Sequence, residues 1–215
     1  MTMKPDNSGM RWDVRECRTR AELERLFRFR YNEYVEKKGL FQDIADHENR
    51  QLTDPVDAFG INFLAEAGGE TIGSIRMNDF KQFVQTFCIT EFGVEEISAD
   101  MLTRGCIVTR AMVHLDWRRK PVFVDLALSA ARRLRDNGLR WMVVDTATSR
   151  KAGEEDRFIS LYRSMGFEVW RRDAAVPGIG TGAVLVFDLE KAMANPKSLA
   201  RLYLSEPART DAAVS

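Results

Sequence analysis

The chain has 215 residues, of which 45% are hydrophobic, so it is long enough to bury the core of one ordinary domain. Lys and Arg together number 32, as do Asp and Glu, and this zero net charge argues against a general nucleic-acid or membrane-surface binder. Three widely spaced cysteines and two histidines, without a Cys-x-x-Cys motif, predict reduced thiols, a cytoplasmic location and no metal site. No apolar run reaches the roughly 18 residues that a membrane span needs.

The N-terminal part of the chain predicts a strand and a long helix. Residues 1–10 are polar and are predicted to be disordered. Residues 11–17 (RWDVREC) alternate apolar and polar side chains, as a half-buried strand does. Thr19 and Glu22 have the spacing of a capping box, and the helix that they begin is predicted to end at Gly39.

A long connection precedes a predicted hairpin. Residues 40–60 are polar, acidic and rich in turn formers, and a connection of this length inside a compact domain is more often functional than not. The two strands of the hairpin are predicted at residues 61–67 and 71–78, with Gly68 and Gly69 forming the turn.

Residues 80–105 are predicted to be a helical insertion, with a second helix around residues 94–102. Aromatic side chains recur in the insertion at helical spacing. They are Phe80, Phe83, Phe87 and Phe92. Two interpretations stay open: these side chains pack on the core, or they form a pocket for a long acyl chain.

Strand and helix patterns alternate over residues 109–167. Strands are predicted at residues 109–114 and 141–146, each followed by a helix, so the two strands should be parallel with a right-handed crossover. The turn between the first strand and its helix contains Arg118, Arg119 and Lys120. A positive turn at a helix N-terminus favours binding of a phosphate.

The C-terminal part predicts an antiparallel pair and a tail. Residues 167–176 and 182–189 have strand patterns and flank a turn rich in glycine. Residues 191–215 are predicted to be a short helix and a tail.

Three motifs in this arrangement resemble known families. HLDWRRK (residues 114–120) and LYRSMGF (residues 161–167) resemble the strand-end loop and the Leu-Tyr-x-x-x-Gly-Phe helix end of the GCN5-related N-acetyltransferase (GNAT) superfamily. RFRYNEYVEKKGL (residues 28–40) resembles a helix of acyl-homoserine-lactone (autoinducer) synthases and of long-chain N-acyl amino acid synthases. The resemblance implies an α/β fold in one domain over residues 11–190. Its sheet would be mixed and mostly antiparallel, with a central, splayed parallel strand pair, and flanked by helices.

The same resemblance implies an N-acyltransferase without a tightly bound cofactor. It would move a medium- or long-chain acyl group from acyl carrier protein or acyl-CoA to a primary amine of an amino acid, a small amine or a peptide. The resemblance implies that the acyl donor is bound by Met112, Val113, Arg118, Arg119, Lys120, Phe123 and Val124. It implies that the amine acceptor is bound by Arg76, Arg110, Arg30 and Tyr34.

The two strand arginines have a second, structural interpretation. Arg76 and Arg110 lie within apolar strand patterns, and a buried arginine needs a partner. Asp54 and Asp57, which match the acidic pair of these families, or Asp79 would provide one. For Arg30, an ion pair with the acidic connection is the favoured role.

Aminolysis of a thioester needs a proton for the leaving thiolate and a base for the amine. Tyr162 matches the family tyrosine that protonates the thiolate, and a phenol suits that role. His114, Asp145 and Glu66 are the candidates for the general base, either directly or through water. A histidine titrates in a suitable range, but it also serves as a surface or capping residue.

Two departures from these families narrow the function. Pro121 and Phe123 replace glycines of the pyrophosphate loop, which favours a carrier-protein arm over CoA because the arm has a single phosphate. Ile107 replaces a glutamate of the autoinducer synthases and disfavours homoserine-lactone synthesis. The alternatives are an autoinducer synthase and a non-catalytic protein that binds an acyl-pantetheine group.

Overall fold

The structure, a computed structural model, describes residues 11–87, 97–147, 155–176, 180–196 and 198–205. The predictions for residues 1–10, for Phe92 and for most of the tail lie outside these residues. The chain divides into two compact units. The first unit comprises Met1–Asp57, Ile61–Arg76 and Arg110–Ser129, and the second comprises Ala58–Gly60, Met77–Thr109 and Ala130–Ser215. The single domain over residues 11–190 stays a prediction.

Seven strands form one sheet in the order β1-β2-β3-β4-β5-β7-β6. They are β1 (Asp13–Glu16), β2 (Ile61–Ala67), β3 (Glu70–Asp79), β4 (Gly105–Val113), β5 (Trp141–Ala147), β6 (Glu168–Val176) and β7 (Gly180–Asp188). The β4–β5 pair is parallel, whereas β1–β2, β5–β7 and β6–β7 are antiparallel. The predicted mixed, mostly antiparallel sheet with one parallel pair is therefore confirmed.

Seven α-helices accompany this sheet within the described residues. They are α1 (Arg20–Arg30), α2 (Phe80–Phe87), α3 (Ala99–Arg104), α4 (Val122–Asp136), α5 (Glu155–Ser164), α6 (Leu189–Ala194) and α7 (Leu199–Leu204). None of the described helices combines the length and the apolar character that crossing a membrane requires.

In the structure, the helix predicted from Thr19 to Gly39 consists of two segments. The capping box of Thr19 and Glu22 begins α1 as expected. A π-helical segment, Tyr31–Glu36, then continues the helix. The helix predicted from Thr19 thus changes from α- to π-helical after Arg30, and its π-helical part buries Glu33, Tyr34 and Val35 in succession.

The β2–β3 hairpin is built as predicted. Gly68 and Gly69 have φ values of 58° and 83°, the left-handed backbone that a two-residue turn of this type needs. β3 extends one residue beyond the predicted strand at each end. Gly73 lets β3 approach α4 closely, since a Cβ there would lie 3.0 Å from Cδ1 of Leu126.

Strand β4 begins four residues before the predicted start. Its parallel register pairs Gly105 with Trp141 and Val108 with Val144. Gly105 follows α3 directly, and a Cβ at this position would lie 2.1 Å from the carbonyl oxygen of Met101. Only glycine therefore fits where the helix turns into the strand.

The predicted insertion is helical in its described parts. Phe80 and Phe83 of α2 are buried, at 0% and 5% exposure. Within the described residues, the second predicted helix begins at Ala99, because Ser98 caps α3 by accepting a hydrogen bond from the Met101 N–H at 3.1 Å. Residues 88–96 lie outside the described chain, and so does the side chain of Phe87.

Candidate functional site

Arg30 lies at the deepest point of a charged cluster in the first unit. Its side chain is fully buried, and it donates to Asp57 Oδ1 at 2.8 Å and to Asn62 Oδ1 at 2.5 Å. Burial lowers the pKa of Arg30, and the neighbouring charge of Asp57 opposes that shift. The predicted contact of Arg30 with the acidic connection is therefore present.

Two aspartates link Arg30 to the strand arginines. Nη1 of Arg76 lies 3.0 Å from Oδ1 of Asp57 and 2.7 Å from Oδ1 of Asp54. Burial alone would raise the pKa of Asp57, but the charges of Arg30 and Arg76 outweigh it and hold that pKa below its ordinary value. The short 3-10 helix Pro55–Ala58 holds the aspartates in place, since Asp57 Oδ2 accepts from the Asp54 N–H at 3.0 Å.

Arg110 forms the outer end of this cluster. Its Nε and Nη2 atoms lie 3.2 and 2.8 Å from Oδ2 of Asp54, so one carboxylate is shared by Arg76 and Arg110. Arg110 has a φ of 54°, which is rare for a residue other than glycine within a strand. Its carbonyl oxygen accepts a hydrogen bond from Ser74 Oγ at 3.1 Å.

Aromatic rings hold the guanidinium of Arg110. Its Cζ atom lies 4.0 Å from the ring centre of Phe41 and 5.8 Å from that of Tyr34. The two rings meet edge to face at 5.6 Å, and the Tyr34 hydroxyl donates to the carbonyl of Ala111 at 3.3 Å. Residues 30, 34, 76 and 110, all predicted at the acceptor, are thus brought together.

His114 follows the last residue of β4 and caps the 3-10 helix Leu115–Trp117. Its Nδ1 atom accepts a hydrogen bond from the Asp116 N–H at 3.3 Å. Its Nε2 atom lies 3.9 Å from Oε1 of Glu33, which is 2% exposed and also accepts from Lys37 Nζ. Sequence reasoning missed Glu33, although a carboxylate between apolar positions of a helix was an available signal.

The predicted donor residues lie at the end of β4 and the start of α4. Met112 and Val113 are buried, and the carbonyl of Val113 accepts from Arg118 Nε at 3.2 Å. The next two basic residues differ in exposure, with Arg119 exposed and Lys120 half-buried, and Phe123 and Val124 are also half-buried. Pro121 immediately precedes α4, where its missing N–H costs nothing.

Lys38 adds a further positive charge near this turn. Its Nζ atom lies 5.5 Å from the ring centre of Tyr34. Desolvation and the charge of Arg118 lower the pKa of Lys38, while Glu33 opposes the shift. The surface around Arg118 is therefore positive beyond the three basic residues that the sequence motif contains.

Glu66 lies in a separate ion-pair network. Its carboxylate pairs with Arg15, and its Oε1 atom lies 3.1 Å from Nη2 of Arg25. Among the described polar contacts of Glu66, none involves a predicted donor or acceptor residue.

Tyr162 and Asp145 belong to the second unit. Tyr162, in α5, is 6% exposed, and its ring meets that of Phe167 edge to face at 5.2 Å. Asp145 is a half-buried residue of β5. Their catalytic roles stay predictions.

Comparison with known proteins identifies the fold. No protein-family model and no curated protein sequence matches the chain. The crystal structure of the AHL synthase LasI matches with a TM-score of 0.60 and 18% identity, over 84% of this chain and 91% of LasI. The CoA-dependent acyl-homoserine lactone synthase BjaI, solved with SAM and isopentyl-CoA, matches with a TM-score of 0.60 and 15% identity, over 93% and 92% of the two chains.

A GNAT acetyltransferase from Staphylococcus aureus Mu50 matches with a TM-score of 0.53 and 14% identity, over 83% of this chain and 99% of that protein. Each likeness covers at least 83% of this chain and at least 91% of the matched protein. The chain therefore has the fold of the GNAT superfamily, in a form that resembles the acyl-homoserine lactone synthases.

Proposed function

We propose that this protein is an N-acyltransferase that moves a medium- or long-chain acyl group from a pantetheine thioester to a primary amine. The donor is an acyl carrier protein or CoA thioester, and the acceptor is an amino acid, a small amine or a peptide. The observation that carries the proposal is the fold, which the chain shares with acyl-homoserine lactone synthases and with GNAT acetyltransferases.

Arg110 supports an acceptor that bears a carboxylate. Its Nε and Nη2 atoms bind Asp54, whereas no described residue accepts a hydrogen bond from its Nη1 atom. The side chain is 12% exposed, and its guanidinium lies over the ring of Phe41. A planar guanidinium held in this way offers its remaining N–H groups in a geometry that suits a carboxylate. Arg30 and Arg76 then have a supporting role behind it.

The end of β4 and the turn after it support the donor site. A pantetheine arm would run beside Met112 and Val113, with a backbone N–H polarising the thioester carbonyl. Pro121 and Phe123 replace loop glycines and favour a carrier-protein donor. The CoA dependence of BjaI supports acyl-CoA as the alternative donor.

Two proton transfers complete the chemistry. Tyr162 would protonate the leaving thiolate, and a base would take the proton of the attacking amine. His114 is favoured over Glu66 as the base, because Glu66 is paired with Arg15 and Arg25 and would lose those pairs by accepting a proton. Asp145 stays a candidate.

The acyl chain is assigned to the helical insertion. Phe80 and Phe83 are buried, as either a core or a pocket wall would require. Phe92 and the side chain of Phe87, which were also predicted for the pocket, lie outside the described residues. Substituting Phe83 by Trp should shorten the preferred acyl chain if the ring lines the pocket.

An autoinducer-type synthase is the second candidate. The likeness to LasI and BjaI favours it, and the buried Ile107 in place of a glutamate disfavours it. Comparing SAM with free amino acids as the acceptor separates the two. Acylation of SAM alone would establish the second candidate.

The test of the proposed function is thiol release from acyl-carrier and acyl-CoA thioesters of graded length, with a panel of amines. Tyr162→Phe should lower the rate of release while thioester binding is retained. Tyr31→Phe, which removes a hydroxyl bonded to His47 in the first unit, is the matched control and should leave the rate unchanged. Thioester binding without release by the wild-type protein would instead establish a non-catalytic acyl-pantetheine binding protein.

A further inference from the structure

Glu33 is a buried carboxylate that the chemistry described so far does not use. It lies on the π-helical segment and is 2% exposed. One of its two described partners is Lys37, whose side chain is 48% exposed. Burying a carboxylate has a large desolvation cost, which one lysine at the surface offsets poorly. π-Helical turns occur frequently at functional sites, so we expect Glu33 to have a role beyond its pair with Lys37.

The second partner of Glu33 is His114, and the contacts of His114 define its tautomer. Nδ1 accepts a hydrogen bond from the Asp116 N–H at 3.3 Å, so Nδ1 has the lone pair. The hydrogen of the neutral imidazole then lies on Nε2. That is the nitrogen that faces Oε1 of Glu33, at 3.9 Å. A small movement of either side chain would bring the two atoms into hydrogen-bond distance.

Other charged groups belong to the surroundings of Glu33 and His114. Asp116 Oδ2 lies 3.9 Å from Nδ1, but its side chain is 33% exposed and its charge is therefore screened by water. Lys37 pairs with Glu33, Arg118 binds the carbonyl of Val113, and Lys38 is influenced by both Glu33 and Arg118. Glu33 is the carboxylate facing His114 from a buried position, where a charge acts most strongly.

We propose that Glu33 is a positioning residue for His114 and that His114 Nδ1 is the general base of the transfer reaction. This inference rests on the proposed N-acyltransferase function. Glu33 orients the ring by accepting a hydrogen bond from Nε2–H. When the acceptor binds, its amine replaces the Asp116 N–H as the donor to Nδ1, because that hydrogen bond is long and exposed. A carboxylate that orients a histidine base and stabilises its charged form is a recurring arrangement in acyl transfer.

The amine nitrogen bonds to the thioester carbonyl carbon, its proton moves to Nδ1 of His114, and the carbon–sulfur bond breaks. The thiolate takes a proton from Tyr162, and the proton held by the imidazolium returns through solvent to the phenolate. Amide and free thiol are the products, and the charge of Glu33 stabilises the imidazolium while it exists.

The first experiment is 15N NMR of the imidazole groups, which does not depend on turnover. The chain has two histidines, so the His114→Gln variant assigns the signals and His47 provides an internal reference. We expect neutral His114 to be the Nε2–H tautomer. The Nδ1–H tautomer would overturn the inference, whether or not the protein transfers acyl groups.

The second experiment is the pH profile of kcat/KM. Glu33→Gln preserves size but removes the charge, so kcat/KM should fall by about tenfold and the acid limb should move to lower pH. Glu36→Gln is the matched control, because Glu36 lies on the same segment but pairs at the surface with Arg50 at 2.6 Å. Glu33→Asp should restore part of the rate. A Glu33→Gln profile that superimposes on the wild-type profile would contradict the positioning role.

The two experiments also separate this inference from the proposed function. If no acyl transfer is found with any donor and amine, the proposed function fails. The NMR measurement then still decides whether Glu33 and Asp116 set the tautomer of His114.

Discussion

At the scale of single residues, Asp57 is the position of the buried charged cluster where we expect a substitution to reduce stability most. It lies between Arg30 and Arg76, at 2.8 and 3.0 Å. Asp57→Asn should reduce the free energy of unfolding by about 3–5 kcal/mol, because it leaves buried guanidinium charge uncompensated. Urea unfolding measures this loss. The control is Glu36→Gln, which breaks an exposed pair and should cost less than about 1 kcal/mol.

Asp57 also predicts a pH dependence of stability. Because its pKa is held below the ordinary value in the folded state, the stability that it contributes is present above its unfolded pKa of about 3.9. That contribution is lost as the pH falls through the lower, folded-state pKa. The free energy of unfolding of the wild type should therefore decrease below about pH 4 more steeply than that of Asp57→Asn. Equal slopes for the two proteins in that range would contradict this account.

Several residues of the candidate site could be predicted from the sequence, and others could not. Arg76 and Arg110 stand out as charges within apolar strands, and their need for aspartate partners follows from the cost of burial. Phe41 gave no such signal, because its contact with Arg110 depends on how the loop after the π-helical segment folds back. Glu33 was missed because it was not counted among the buried positions of its helix, although it follows the buried Leu26 by about two turns.

At the scale of secondary-structure elements, the junction of α3 and β4 depends on Gly105. An alanine there would place its Cβ 2.1 Å from a backbone oxygen that cannot move away cheaply. Gly105→Ala should lower the free energy of unfolding by about 3 kcal/mol or more. Gly73→Ala is the control, since its nearest contact is a leucine side chain at 3.0 Å, and it should cost less. Thermal unfolding of both variants compares the two costs, and a smaller loss for Gly105→Ala would contradict the packing described at this junction.

Secondary-structure elements could be predicted where a short sequence motif specifies them. The capping box and the two-glycine turn each left a clear pattern, and the structure contains both. The alternating residues 11–17 contain β1, but the burial of its residues does not alternate. The change from α- to π-helix left none, because the spacing of the apolar residues fits an α-helix on both sides of the change. The early start of β4 was missed because Gly105 was assigned to the helical insertion and residues 106–108 were assigned to no element.

At the scale of the whole molecule, zero net charge conceals a local positive surface. Arg118, Arg119 and Lys120 follow β4, and Lys38 lies close enough to respond to Arg118. The proposed donor, an acidic carrier protein, should dock on this surface through charge, as electrostatic complementarity mainly sets encounter rates.

Charge reversal tests that docking surface. Replacing Arg118, Arg119 and Lys120 together by Glu should raise KM for an acyl carrier protein by about tenfold or more, and the effect should shrink at high salt. The same acyl group on free pantetheine is the control donor, and its KM should change little. An equal change in KM for both donors would show that these residues act on the pantetheine arm itself.

The central claim is that this protein acylates an amine that bears a carboxylate. The most direct measurement compares N-acyl product formation, by mass spectrometry, from an amino acid and from the amine that its decarboxylation would give. We expect kcat/KM to favour the amino acid by about tenfold or more, and Arg110→Gln to remove most of that preference. The absence of an N-acyl product from every donor and amine, or equal use of both amines by the wild type, would contradict the claim.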